Sequence, residues 1–222
     1  MNTIAAIVQA RTGSYRFPNK VLQKIGEHPM LWHVCNRLKD CRTLNMIVVA
    51  TSKQSADRQI VDLAQRYDVR TYVGSELDVL DRYYRCATAL DIKTIVRITG
   101  DCPLIDPMIV DKAVAYYLTN KFDMVETTKN FLDGIDTEVF SYKILKEAWE
   151  KSTDVSDREH VTPYIREHFS IGQLPSKIPY PKVHLSVDTE EDLKLIRKIY
   201  ERCSPGFGID DIVEILNDRN FA

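Results

Sequence analysis

The 222-residue sequence has no uninterrupted apolar run near the ~18 residues a membrane-spanning helix needs, since even its first strand-like run stops at Gln9 and Arg11. Its start, MNTIAAIVQAR, lacks a basic leader followed by an apolar stretch and a small-residue cleavage site, so no secretory signal and a cytoplasmic location are expected. Cys35, Cys41, Cys86, Cys102 and Cys203 are odd in number, scattered, and contain no C-x-x-C pair. That argues against a disulfide framework and a structural zinc site and predicts buried thiols. Charge of one sign is lacking as well: 30 basic residues face 32 acidic ones, a net charge of −2, so there is no global positive field for a generalist nucleic-acid binder. A basic patch, where one exists, is local. No repeat, low-complexity segment or Gly/Ser-rich linker divides the chain, and residues 1–222 read as one domain. The Walker G-x-x-x-x-G-K-[ST] loop, the G-x-G-x-x-G turn and H-E-x-x-H are all absent, and His28 with His33 fits no common zinc spacing.

What is present is an alternation. Ile4 to Val8, Met46 to Ala50, Val69 to Val73 and Thr94 to Ile98 are short runs rich in apolar and β-branched residues. Between them lie helical patterns over 30–38, around Ile60, Leu63 and Ala64, and over 79–90, and Pro107 opens another helix. Strands apolar on both faces that alternate with helices predict a parallel sheet covered on both sides. Ligands of such sheets bind at the carboxyl ends of the strands, so the loops after Val8, Ala50 and Ile98 are expected to share one rim. In the second half, Val125, 137–140 and 183–187 read as strands; 143–151, 160–168 and a stretch from near Thr189 read as helices. Residues 131–181 are the least periodic and read as an excursion that packs on a partner subunit or as irregular cover for the sheet. Tyr83, Tyr84, Tyr116 and Tyr117 recur at helix positions, which favours packing over base stacking.

Three constellations carry chemistry. The loop from Gln9 to Lys20 gathers Arg11, Arg16 and Lys20 beside Gly13, the Ser14 hydroxyl and free backbone amides, a composition that can wrap a polyphosphate. The plainer reading is a solvated basic loop. In Arg97-Ile98-Thr99-Gly100-Asp101-Cys102-Pro103, a strand ends, a glycine permits an unusual backbone angle, and Asp101 is presented at the rim, where a carboxylate suits Mg²⁺. Helix capping is the alternative, favoured for Asp106 before Pro107 and not for Asp101. In His184-Leu185-Ser186-Val187-Asp188-Thr189, Asp188 sits at a strand tip, while Glu190, Glu191 and Asp192 occupy a first helical turn and read as structural. Asp101 and Asp188 together can bracket a magnesium ion that bridges phosphates.

The ordered motifs ARTGSYRFPNK, VVATS, GSELDVLDRYY, RITGDCPLIDP, DGIDTEVFS, REHVTPYI and SVDTEEDL resemble the cytidylyltransferases of the spore coat polysaccharide biosynthesis protein F type, relatives of CMP-sialic acid and CMP-KDO synthetases. The resemblance runs from Ile4 to Ile199 and implies an α/β, Rossmann-like, three-layer nucleotide-diphosphosugar transferase fold with a mostly parallel central sheet. It implies transfer of CMP from CTP to an ulosonic-acid-like sugar acid with release of pyrophosphate, and dimerisation through 131–181. By the same resemblance, Arg11, Lys20, Asp101 and Asp188 are catalytic, and Asp101 and Asp188 hold Mg²⁺. Ala10, Arg11, Gly13, Ser14, Arg16, Lys20, Asp81, Arg82 and Gly100 bind the nucleotide, and Asp136, Glu138, His160 and Thr162 lie near the acceptor. Tyr15, Phe17 and Asn19 stand where the family has a small or polar residue, a leucine and a glycine. A sugar phosphate or another small phosphorylated acceptor, or a non-catalytic nucleotide- or sugar-binding protein on the same fold, are the alternatives.

Overall fold

The computed structural model describes residues 3–127, 130–176, 179–219 and 221. In chain order the elements are β1 (Ile4–Gln9), β2 (Lys24–Ile25), β3 (His28–Pro29), α1 (Met30–Leu38), β4 (Met46–Ser52), α2 (Arg58–Arg66), β5 (Arg70–Gly74), α3 (Val79–Ala89) and β6 (Thr94–Thr99). There follow α4 (Pro107–Thr119), β7 (Met124–Glu126), β8 (Glu138–Ser141), α5 (Tyr142–Lys151), α6 (Val155–His160), α7 (Pro163–His168), β9 (Ile171–Gln173), α8 (Glu190–Arg202) and α9 (Ile209–Asn217).

Seven strands form one sheet in the order β5-β4-β1-β6-β8-β7-β9. β5, β4, β1 and β6 run parallel, and β8 alone runs against them, pairing antiparallel with both β6 and β7. Alternation along the strands divides the interior. Ile4, Ala6 and Val8 face one way, towards α1, α2, α4, α8 and α9; Ala5 and Ile7 face the other, towards α3, α5 and α7. Every one of these five residues is buried, which is why the strand shows no polar face in the sequence. The result is the three-layer, Rossmann-like α/β arrangement expected from the sequence.

Helix starts follow local chemistry. Asp106 accepts from the amides of Met108 and Ile109 at 2.7 and 3.2 Å with Pro107 in the first turn, so it caps α4 as expected, and its second oxygen also takes the Ile209 amide at 2.7 Å. Thr189 and Asp192 form a reciprocal capping box on α8. The cysteines are all free thiols, four of them buried. Among the described residues no helix is long and apolar enough to cross a membrane.

Two expectations differ from the structure. The helix read over 160–168 is two helices, because Val161 adopts φ 74° and Pro163 restarts the helix with no amide hydrogen to give. The strand read over 183–187 is extended chain that makes only an isolated bridge, Asp133 to His184. It crosses the ends of strands and meets loops: its Leu185 and Val187 amides donate to Asp133 and Asp101 carbonyls at 3.1 and 2.9 Å. The β2–β3 hairpin, β9 and α9 were not legible in the periodicity. Residues 138–141 and 171–173, within the aperiodic stretch, supply strands of the central sheet.

Candidate active site

The chain leaves β1 towards one edge of the sheet, through β4 and β5, and then crosses to β6 on the other side of β1. The carboxyl ends of β1 and β6 therefore flank the point where strand order reverses, the place where open α/β sheets bind ligands. Backbone bonds draw the loops together there: the Ala10 amide donates to the Ala50 carbonyl at 3.2 Å and the Gly100 amide to the Gln9 carbonyl at 2.8 Å. A Cβ on Gly100 would lie 2.9 Å from that same Gln9 oxygen, so only glycine lets the two strand ends approach this closely. The loops after Val8, Ala50 and Ile98 share one rim, as the sequence predicts.

A cleft of about 630 Å³ opens on this rim, lined by Gln9, Ala10, Arg11, Ser14, Tyr15, Arg16, Lys20, Arg82, Gly100, Asp101, Glu159, His160 and Asp188 among others. Lys20, 8% exposed, lies within it, and its ammonium donates to Asp101 Oδ2 at 2.6 Å and Asp188 Oδ1 at 3.0 Å. Arg16 reaches the other Asp188 oxygen at 2.9 Å. Burial pulls the Lys20 pKa down, and the charges and hydrogen bonds of Asp101 and Asp188 outweigh it, leaving it above the ordinary lysine value. Burial pushes Asp188 up, and Lys20 and Arg16 more than offset this, so its carboxyl sits below the usual range. Both ionic forms are thus stabilised together. Two carboxylates 81 and 168 residues from Lys20 in sequence converge on one cation position. Among the described residues no group of three or more metal-ligating side chains gathers. A two-carboxylate site suits Mg²⁺, which takes its remaining ligands from water and phosphate oxygens.

Two further polar atoms in the cleft wall have no hydrogen-bond partner, the Gln9 Oε1 and the Arg82 Nε. Arg82 is 1% exposed, and its Nη1 donates to the Ser75 carbonyl at 2.9 Å. The turn at Asn19 has φ 59°, a left-handed angle that asparagine tolerates better than most residues. Phe17 packs against the core, whereas Tyr15 lies fully exposed on the cleft's lip.

Other residues singled out from the sequence stand apart. Asp81 faces α5, accepting from Arg85 at 2.8 Å and from the Trp149 indole at 2.9 Å, and does not line the cleft. Gly13 is exposed at the loop's outer turn. Glu138 is 2% exposed and bound to Arg97 at 2.8 Å, to Arg166, and to the Thr162 hydroxyl at 3.2 Å, so these residues satisfy one another in the interior. Asp136 accepts from the Gly134 amide at 3.2 Å, and burial raises its pKa to about 6. Of the four acceptor candidates, His160 alone lines the cleft.

The profile of the cytidylyltransferase family matches residues 5–218, almost the whole chain. The chain belongs to the cytidylyltransferase family. It is 29% identical over 229 residues to the spore coat polysaccharide biosynthesis protein SpsF of Bacillus subtilis, covering 98% of this chain and 95% of that one. It is 35% identical over 120 residues to a 3-deoxy-manno-octulosonate cytidylyltransferase of Trichlorobacter lovleyi, covering 53% and 46% of the two chains. A solved cytidylyltransferase from Leptospira borgpetersenii superposes with a TM-score of 0.92 at 30% identity, covering 96% of this chain and 93% of the other. The protein is a CTP-dependent nucleotidyltransferase by membership.

Two groups of the cytidylyltransferase's site escaped the sequence reading. Asp57, 1% exposed, accepts from the Thr12 amide and hydroxyl at 2.7 and 2.6 Å and from the Ser52 amide and hydroxyl at 3.3 and 2.5 Å, tying the basic loop to the end of β4. Asp133 holds His184 Nδ1 at 2.5 Å, and His184 Nε2 stands 3.6 Å from Asp188, so residues near 133 brace the second rim aspartate. Asp57 has no motif around it, and its partner Thr12 is 45 residues away. A histidine four residues before Asp188 was visible, but its carboxylate partner, 51 residues distant, was not.

Proposed function

We propose that this cytidylyltransferase transfers CMP from CTP to a hydroxyl of a small, ulosonic-acid-like sugar acid, releasing pyrophosphate, in the synthesis of a surface polysaccharide or glycan. The observation that carries this reading is the convergence of Lys20, Asp101, Asp188 and Arg16 at the carboxyl ends of β1 and β6. Membership of a family with SpsF and 3-deoxy-manno-octulosonate cytidylyltransferase relatives supports the choice of acceptor.

In this reading Arg11, Arg16 and Lys20 stabilise the charge that builds on the departing pyrophosphate. Gly13 offers its amide and Ser14 its hydroxyl to the phosphates, while Ala10, whose own amide is bonded to the Ala50 carbonyl, and Arg82 line the nucleotide's cleft. Gly100 keeps the floor low enough for the phosphates to approach. Asp81 acts on the nucleotide through α3, on which Arg82 also sits. Asp101 and Asp188 hold Mg²⁺, which when bound supplies Lewis-acid polarisation of the α-phosphate and lowers the acceptor hydroxyl's pKa. His160 orients the acceptor from the cleft wall, and Asp136, Glu138 and Thr162 act on it from positions outside the cleft lining. Positioning and electrostatics supply most of the rate, because phosphoryl chemistry of this kind asks little covalent participation of the protein. We assign 1–222 to one domain, with 131–181 as the acceptor and homodimer segment, and a cytoplasmic location.

A pyrophosphate-release screen tests the reading. It crosses four nucleoside triphosphates with ulosonic acids, sugar phosphates and small phosphorylated acids, with and without Mg²⁺. Release with CTP, an ulosonic acid and Mg²⁺ is expected. Turnover confined to phosphorylated acceptors would move the assignment to them.

A further inference from the structure

The two rim carboxylates share a single ammonium, with oxygens 2.6 and 3.0 Å from Lys20 Nζ. A small divalent ion takes carboxylate oxygens at roughly 2.1 Å, so an ion held by the same two oxygens overlaps the volume that Nζ fills. Two cations cannot share that point. The partners differ in freedom. The segments bearing the aspartates are bonded to each other, Val187 N–H to the Asp101 carbonyl at 2.9 Å, and Asp192 accepts from the amides of Asp188 and Thr189 at 2.9 and 2.8 Å. Lys20 hangs instead on a flexible four-carbon stem from a single 3-10 turn, Lys20–Leu22. Its side chain is only 11% exposed, so wherever the ammonium goes it needs an anion. Arg16 lies outside, 65% exposed on the far oxygen of Asp188, and has no need to move.

We propose that Lys20 and the metal ion are alternative occupants of the Asp101–Asp188 pair, and that the nucleotide's triphosphate draws the ammonium off, so that metal binds with the nucleotide and not before it. The inference rests on Asp101 and Asp188 being the metal ligands. Charge balance supports it: two carboxylates facing one ammonium and one guanidinium leave little attraction for a dication, and the triphosphate supplies both a new partner for Lys20 and further negative charge. By linkage, metal and nucleotide then raise each other's affinity by the same factor.

The test is a titration of the full-length protein with Mn²⁺ alone, followed by electron paramagnetic resonance of the free ion, and repeated with CTP in the absence of acceptor. Wild type, Lys20→Met, Lys20→Gln and the double variant Lys20→Met with Asp101→Asn are compared, each checked for folding by circular dichroism. Without nucleotide, Lys20→Met and Lys20→Gln should bind Mn²⁺ about tenfold or more tightly than wild type, and Asp101→Asn should abolish the gain. CTP should raise Mn²⁺ affinity in wild type, beyond the affinity of CTP itself, and much less in the lysine variants. Wild type binding Mn²⁺ equally well with and without CTP overturns the exchange while leaving the metal assignment standing, and this arm requires no variant. Absence of Mn²⁺ binding in every protein and condition overturns the metal assignment and the exchange with it.

Discussion

Replacing Asp57 by alanine is expected to unmoor the loop that carries Arg11, Arg16 and Lys20 without touching any of them. The carboxylate receives two backbone amides and two hydroxyls, from Thr12 at 6% exposure and Ser52 at 2%. The hydroxyls can rotate to other acceptors, but the amides are fixed by the backbone. Counting only those two, at about 1–3 kcal/mol for each stranded donor, the loss is about 2–6 kcal/mol. Asparagine keeps one acceptor oxygen and the shape, so Asp57→Asn should lose about half as much. Burial raises the Asp57 pKa, and the bonds from Ser52 and Thr12 outweigh it, holding it below the ordinary 3.8. Its stabilisation is therefore present above pH 3.8 and fades as pH falls through the lower native value, so wild type and Asp57→Asn should converge in acid. Urea unfolding followed by circular dichroism reads the stability, and pyrophosphate release reads the site. In the folded fraction, KM for CTP should rise by about tenfold while acceptor KM holds, because the phosphate loop and not the acceptor wall has been released. An Asp57→Ala protein within about 1 kcal/mol of wild type, with unchanged KM for CTP, would refute the reasoning.

Further perturbations probe separate parts of the structure. Asp101→Ala should cut turnover by a factor of about 100 or more, about 3 kcal/mol, with the melting temperature retained; near-normal pyrophosphate release would sink the two-aspartate site. Gly134 has φ +95°, and a Cβ there would lie 2.4 Å from the Leu185 carbonyl carbon and 2.5 Å from the Ser186 nitrogen. Gly134→Ala should accordingly lose about 1–3 kcal/mol from the backbone angle alone, read by urea unfolding, and tolerance of the alanine would mean that loop 133–136 does not dock as described. Asp136 titrates near 6 when folded against 3.8 ordinarily, so the folded form binds more protons between those values and stability should fall as pH rises from about 4 to 6. The span is worth on the order of 3 kcal/mol, and Asp136→Asn should remove the slope and be the more stable protein at pH 7. Parallel pH profiles for the two would contradict the burial.

Periodicity carried the first half of this chain because β1, β4 and β6 are buried on both faces and each local signal agrees with the global sheet. It failed at 160–168, where Val161 takes a positive φ and Pro163 restarts the helix, and at 183–187, where the chain bonds to Asp133 and Asp101, far away in sequence. The cations at Arg11, Arg16 and Lys20 and the tip position of Asp101 were readable, since a charged residue just after an apolar strand marks a rim; Asp188 was read at the tip of a strand that the structure does not form. Asp81, Glu138 and Thr162 were read from motif resemblance, and the structure has Asp81 bonded to Trp149, Glu138 to Arg97 and Arg166, and Thr162 to Glu138, outside the cleft lining.

The sequence by itself determined the layers, the strand ends and the charged residues at them, because burial pattern and loop position are local properties. Only the tertiary structure decided that Lys20 bridges the two aspartates, that Asp57 holds the basic loop, and that Asp133 and His184 stand behind Asp188. Those pairings join residues 45 to 168 positions apart, and no local preference encodes such a distance. It is the reversal of strand order between β1 and β6 that sets the Lys20 and Asp101 loops side by side.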